Sequence, residues 1–158
     1  MTKEEKQLLL VDLSARLSYG VKAQVIGWDE EKGEVEVPLR IYSINTDGYV
    51  YFECNDYDVN YLAIDACLLY LRPMSSMTEE EKDEMFGICT LSNCSVHTDW
   101  EIVGVEIMST HPRYGDHYST DYSVIDWLNK NMFDYRGLIP NGLALQAPEG
   151  MYKVEEQV

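Results

Sequence analysis

The chain is short of bases, of long apolar runs and of the motifs that hold nucleotides or metals. Twelve lysines and arginines stand against 28 aspartates and glutamates, a formal net charge of −16 over 158 residues. Neutralising phosphates takes clustered Lys and Arg, so direct nucleic-acid binding is not expected. An anionic membrane surface repels the chain for the same reason. No apolar stretch reaches 18 residues, so no transmembrane helix is expected. The N-terminal run Leu8-Leu9-Leu10-Val11 ends at Asp12 without the core or cleavage site of a signal peptide. The four cysteines, Cys54, Cys67, Cys89 and Cys94, then read as reduced thiols of a cytoplasmic protein.

Cofactor motifs are equally scarce. Neither Gly-x-x-x-x-Gly-Lys-Ser/Thr nor Gly-x-Gly-x-x-Gly occurs, so no phosphate-cradling loop is indicated. No EF-hand loop is present either. Cys89, Cys94 and His97 come nearest to a metal-ligand set, but structural zinc takes four N/S ligands. A fourth from Cys54, Cys67, His111 or His117 depends on the fold, and buried or loop cysteines outweigh a metal site. His111, Asp116 and His117 put imidazoles and a carboxylate in one predicted loop, as acid–base chemistry requires. An ordinary solvated loop outweighs that reading, because catalytic constellations are defined by geometry. The expectation is therefore no catalytic residue, no cofactor and no metal.

What is present is a globular chain, 46% apolar, long enough to bury one core. Thr2 and Glu5 fit a capping box that opens a helix to about Leu17, with Leu9, Leu10, Leu13 and Leu17 on one face. Tyr19-Gly20 stops it. From Val21 the period becomes two, giving a strand with Val21, Ala23 and Val25 in phase. Residues 28–33 read as a polar loop, and Val35, Val37, Leu39 and Ile41 as a second strand. Pro38 places that strand at an edge or breaks it. Asn45-Thr46-Asp47-Gly48 predicts a turn and a hairpin across residues 39–54.

Residues 61–71 match helix and strand templates alike, and Pro73 ends the element. Thr78 and Glu81 form a second capping box, opening an acidic helix over about 79–86. Residues 87–99 read as a loop, 101–108 as a strand and 109–118 as a polar, aromatic loop. A last helix begins near residues 120–123, with Val124, Ile125, Leu128 and Met132 on one face and Trp127 beside them. A short segment follows at Leu143-Ala144-Leu145, then a turn at Pro148-Glu149-Gly150 and a frayed end from Val154. The order predicts a single α+β domain over residues 1–158. A mainly antiparallel sheet is joined by an N-terminal helix, a short acidic helix and a C-terminal helix.

Three segments together carry a resemblance: Ala15-Arg16-Leu17-Ser18-Tyr19-Gly20-Val21-Lys22, then Leu71-Arg72-Pro73-Met74-Ser75-Ser76-Met77-Thr78-Glu79-Glu80-Glu81, and a tail beginning Ile125-Asp126-Trp127-Leu128-Asn129. The tail runs through Phe133-Asp134-Tyr135-Arg136-Gly137-Leu138-Ile139 to Ala147-Pro148-Glu149-Gly150-Met151-Tyr152. Over about half its length the chain resembles a family of uncharacterised small acidic proteins of gut Bacteroidales and their phages or mobile elements. The resemblance implies a bacterial or phage origin and a cytoplasmic location, with no established activity to carry over. Relatives in that pattern often carry a His-His pair where Asn131 and Met132 stand here. A structural role for these positions is thus easier to defend than a catalytic one.

Candidate interaction residues fall in three places. Met74 and Met77 lie in a loop without charge after Arg72, which would make an adaptable contact patch if exposed, or core if buried. Trp127, Tyr135 and Arg136 are residue types that anchor interfaces, set against ordinary packing of the last helix. Between Arg40 and Arg72 there is no Lys or Arg, while tyrosines and carboxylates interleave, among them Tyr51, Asp56, Tyr57 and Asp58. An acidic, Tyr-rich surface suits a basic partner, even by imitating phosphates, although simple solubility accounts for it too. The expectation is a non-enzymatic protein-binding factor. The alternatives are an acidic nucleic-acid mimic and a small enzyme using His111, Asp116 and His117.

Overall fold

The capping box at Thr2 forms as the sequence expects. The Thr2 amide donates to the Glu5 carboxylate at 2.6 Å and the Glu5 amide to the Thr2 hydroxyl at 3.1 Å. It opens α1 (Lys3–Arg16), which buries Leu9 and Leu13 and continues into a 3-10 turn at Leu17–Tyr19. Gly20 closes it in the left-handed region at φ 78°, where a side chain is disfavoured. One turn apart on the buried face of α1, Arg16 grips Asp12 through two hydrogen bonds of 2.7 and 2.9 Å. Both side chains are fully buried, so each charge depends on its neighbours for solvation.

The computed structural model describes residues 1–53, 55–57, 59–90, 94–99, 104–111, 115–119 and 122–152. At positions 86, 89, 90, 94–99, 104–111 and 115–119 the description covers the backbone alone. Chain contacts gather the residues into two compact units, one of 1–71 with 138–158 and one of 72–137.

The first unit holds α1 and a six-stranded sheet. Its strands are β1 (Lys22–Asp29), β2 (Gly33–Ile44), β3 (Tyr49–Phe52), β4 (Tyr61–Ala63), β5 (Leu68–Leu71) and, from the tail, the strand Ala144–Gln146. Spatially the order is β4-β3-β2-β1-β5 with the tail strand outermost, antiparallel throughout except for that strand, which runs parallel to β5. β1 extends through Trp28 and Asp29, which the sequence assigns to a loop, and the β1–β2 connection is three residues long. The Asp29 carboxylate accepts the Glu31 and Lys32 amides at 2.9 Å, and Gly33 takes φ 79°. Pro38 stands opposite Gln24 of β1, while β3 pairs only with Ile41, Ser43 and Ile44. Its missing donor is therefore accommodated where, among the described residues, no strand pairs with β2 on the β3 side.

Residues 61–71 resolve into three pieces: β4, a 3-10 turn at Ile64–Ala66 and β5. Val50, Phe52, Ile64, Leu69 and Leu71 are buried with Leu9, Leu13, Val21, Ala23 and Val25, whereas the alternate residues on the sheet's other face are half-buried or exposed.

The second unit contains α2 (Glu79–Thr90), a three-stranded antiparallel sheet and α3 (Tyr122–Lys130). The second capping box also forms, between Thr78 and Glu81. The sheet comprises β6 (Cys94–Asp99), β7 (Gly104–His111) and β8 (Gly115–Ser119). Two predicted loops are thereby corrected. α2 runs on to Thr90 and residues 94–99 form β6, while 109–111 end β7 and 115–118 make most of β8. Strand pairing, from Cys94 opposite Ser109 to His111 opposite Gly115, holds β8 in the sheet although Gly-Asp-His-Tyr-Ser contains no β-branched residue. The α+β class and the mainly antiparallel sheet stand as expected. The frayed end predicted from Val154 lies outside the described residues, and among those described no helix is long and apolar enough to cross a membrane.

Candidate interaction surface

The second unit's core absorbs several predicted contact residues. Met74 and Met77 are only 4% and 5% exposed and cluster with Met85, Val124, Trp127, Leu128, Phe133 and Tyr135. The uncharged loop 73–77 is thus folded inward beneath α2 and α3, where flexible thioethers fill the space between helices. Trp127 stacks on Phe133 at 5.7 Å, and the Arg72 guanidinium lies over the Phe133 ring at 4.2 Å. The Tyr135 hydroxyl donates to Asn129 at 3.1 Å and accepts the half-buried Arg136 guanidinium at 2.7 Å.

Each unit contains a joint between segments distant in sequence. Arg72 forms a single parallel bridge to Phe133: its amide donates to Met132 and its carbonyl accepts from Asp134. Met132 ends α3 at φ 60°, the left-handed position that usually takes glycine. The Phe133 amide closes on Leu128 and the Met132 amide on Asn129, satisfying the helix's last carbonyls. In the first unit Tyr152 joins two strands: its hydroxyl accepts the Lys22 amide at 3.0 Å and donates to the Tyr70 carbonyl at 2.8 Å. Burial pushes the Tyr152 hydroxyl's pKa up to about 12, so it stays a donor at neutral pH.

The acidic, Tyr-rich interval is more open. Tyr49 and Tyr61 meet edge to face at 5.7 Å, Tyr51 lies 5.8 Å from Tyr61, and Tyr42 is exposed nearby on β2. Asp56 is exposed. Tyr57 is half-buried, lying against Gly27 of β1 so closely that a methyl group there would sit 2.7 Å from its Cβ. Asp58 and Cys54 lie outside the described residues, as do the side chains of Cys89, Cys94, His97, His111, Asp116 and His117. Among the described residues no three His, Cys, Asp or Glu side chains gather to hold a metal. Burial raises the Cys67 thiol to about 12, which makes it an unreactive core residue.

Ile26 and Trp28 are the surface residues that sequence reasoning passed over. They are 64% and 65% exposed, on the face of β1 opposite buried Val25. The alternation already carried the signal, since Ile26 falls out of phase with Val21, Ala23 and Val25. Across the ladder they stand opposite Glu36 and Glu34. Glu36 accepts the Gln24 amide at 2.7 Å, so the neighbouring position is already occupied by a polar pair. This arrangement is an apolar centre with an anionic border, which suits contact with a partially basic protein surface.

No known protein family, curated protein or solved structure matches the chain.

Proposed function

We propose that the chain is a non-enzymatic accessory protein of the bacterial cytoplasm, of phage or mobile-element origin in line with the resemblance, that acts by binding another protein. The observation that carries this reading is the exposure of Ile26 and Trp28 on an ordered strand beside Glu34 and Glu36. A large aromatic and a β-branched side chain on the outer face of a sheet are where a partner gains most from excluding water. Exposed tyrosines 42, 49 and 61 extend the same sheet face towards the Asn45–Gly48 turn. An acidic phosphate mimic shares the charge but needs no apolar centre, which makes it the weaker reading here.

Affinity capture from a host lysate at low and high salt, with wild type and an Ile26→Ser/Trp28→Ser variant, tests the proposal. A partner retained by wild type and lost by the variant supports it. Capture that collapses with salt and competes with DNA favours the mimic. No protein retained at low salt overturns the binding reading.

A further inference from the structure

We propose that the edge of β1 between Val25 and Asp29 accepts an extended, Lys- or Arg-rich segment of the partner as an added strand. This rests on the protein-binding reading above and gives it a geometry.

Backbone direction comes first. The Ile41 amide donates to the Val21 carbonyl, so odd-numbered residues of β1 turn their hydrogen-bonding groups towards β2. Even-numbered ones turn away, and the Lys22 amide on that side is taken by Tyr152. Ile26 and Trp28 therefore present two amides and two carbonyls to the side where β5 lies. β5 does not reach them, because its pairing with β1 covers only Ala23 and Gln24. The same register would set Ala66 opposite Ile26, but Ile64–Ala66 is a 3-10 turn. Among the described residues no backbone bond reaches Ile26 or Trp28 from that side. An open ladder is a template for another strand. Natural edges are commonly blunted by lysine or proline, yet this one carries isoleucine and tryptophan.

Charge chooses the occupant. Between Val25 and Pro38 there are five carboxylates and a single lysine. The Lys32 amide and then the Glu31 amide hold the Asp29 carboxyl below its usual range, so the hairpin tip is anionic at neutral pH. A second copy of this chain would bring the same charges together, which opposes β1-to-β1 pairing. An incoming lysine or arginine instead lays its stem along Trp28 and its charge over the indole or towards Glu34.

The test titrates a nine-residue peptide alternating Lys and Val into the full chain. Beside it run the same peptide N-methylated on alternate amides and a version with Glu for Lys. The expected result is binding of the Lys peptide at low salt, with amide exchange at Ile26 and Trp28 slowed at least tenfold. N-methylation should weaken binding tenfold or more, since it keeps the charge and removes the ladder. Trp28→Ala should weaken it several-fold, and the Glu peptide should not bind. Ile26→Pro removes one outward amide and should act like N-methylation; if that variant fails to fold, the peptide comparison decides alone.

Equal binding of the plain and N-methylated peptides, or no binding of either, overturns the strand-addition inference. So does a dimer in sedimentation whose Ile26 and Trp28 amides are already protected. All three outcomes leave partner capture by another part of the surface possible, so failure here is distinct from failure of the binding reading itself.

Discussion

Arg72 holds Glu81 through both carboxylate oxygens, at 2.7 and 2.8 Å, and so ties the chain's entry into the second unit to the first turn of α2. The same carboxylate accepts the Thr78 amide, which makes Glu81 at once an ion-pair partner and the far half of a capping box. Burial alone would raise its pKa. The bonds from Arg72 and Thr78 outweigh that and hold it below the ordinary carboxylate value.

A depressed pKa in the folded state gives stability that is complete above the unfolded value and lost as pH falls through the folded one. Glu81→Gln should therefore destabilise the protein by about 1 kcal/mol at pH 7, a modest figure because the pair is partly solvated. Denaturant melts of both proteins at pH 7 and pH 3 check this. The gap should close at the lower pH.

At Tyr152 the sign reverses. β1 and β5 pair at Ala23–Leu69, and one step along the Tyr152 hydroxyl stands between the Lys22 amide and the Tyr70 carbonyl. Tyr152→Phe leaves both backbone groups without that partner and should cost about 1–3 kcal/mol. Because the folded pKa is raised to about 12 from 10, wild type should lose this advantage as pH rises through that interval. Melts between pH 9 and pH 12 should show the Phe variant less stable at the start and the two converging at the end.

Local chemistry was legible where side chains satisfy neighbours close in sequence. Both capping boxes, the Asn45–Gly48 turn and the two-residue period of β1 and β2 could be read directly. Residues 61–71 could not, because a short outer strand, a 3-10 turn and a half-buried strand give the same apolar run as a helix. β6 and β8 were hidden for another reason: in Cys-Ser-Val-His-Thr-Asp only Val96 and Thr98 favour a strand, Gly-Asp-His-Tyr-Ser has no β-branched residue, and pairing with β7 makes both strands. The methionine loop shows the limit for sites. Met74 and Met77 have the composition of a contact patch, yet only tertiary packing decides that they face inward. Ile26 and Trp28 were lost in a hairpin assigned too long a loop.

Met132 sets two effects against each other. A non-glycine residue at φ 60° costs on the order of 1 kcal/mol, which Met132→Gly would recover. Its side chain is also 1% exposed, and emptying a buried methionine site costs about 2–5 kcal/mol. The core term wins, so Met132→Gly should be net destabilising, read as a lower denaturation midpoint. A glycine variant more stable than wild type would show that the side chain contributes little to packing.

Gly27 and Tyr57 form the last pair. Gly27 lies in β1, where an alanine would ordinarily favour the strand, but its Cβ would fall 2.7 Å from Tyr57 Cβ and 3.0 Å from the ring. The ring therefore occupies the space that a side chain would take, and it anchors the loop after β3 onto the β1–β2 hairpin. Gly27→Ala should destabilise by about 1–3 kcal/mol through overpacking. Tyr57→Ala should destabilise by removing the cover over the glycine. If the contact is as close as the geometry gives, the double variant should cost less than the two singles added, because each change removes the other's problem. A four-protein denaturation cycle measures the coupling, and strict additivity would mean that Tyr57 does not rest on Gly27 in solution.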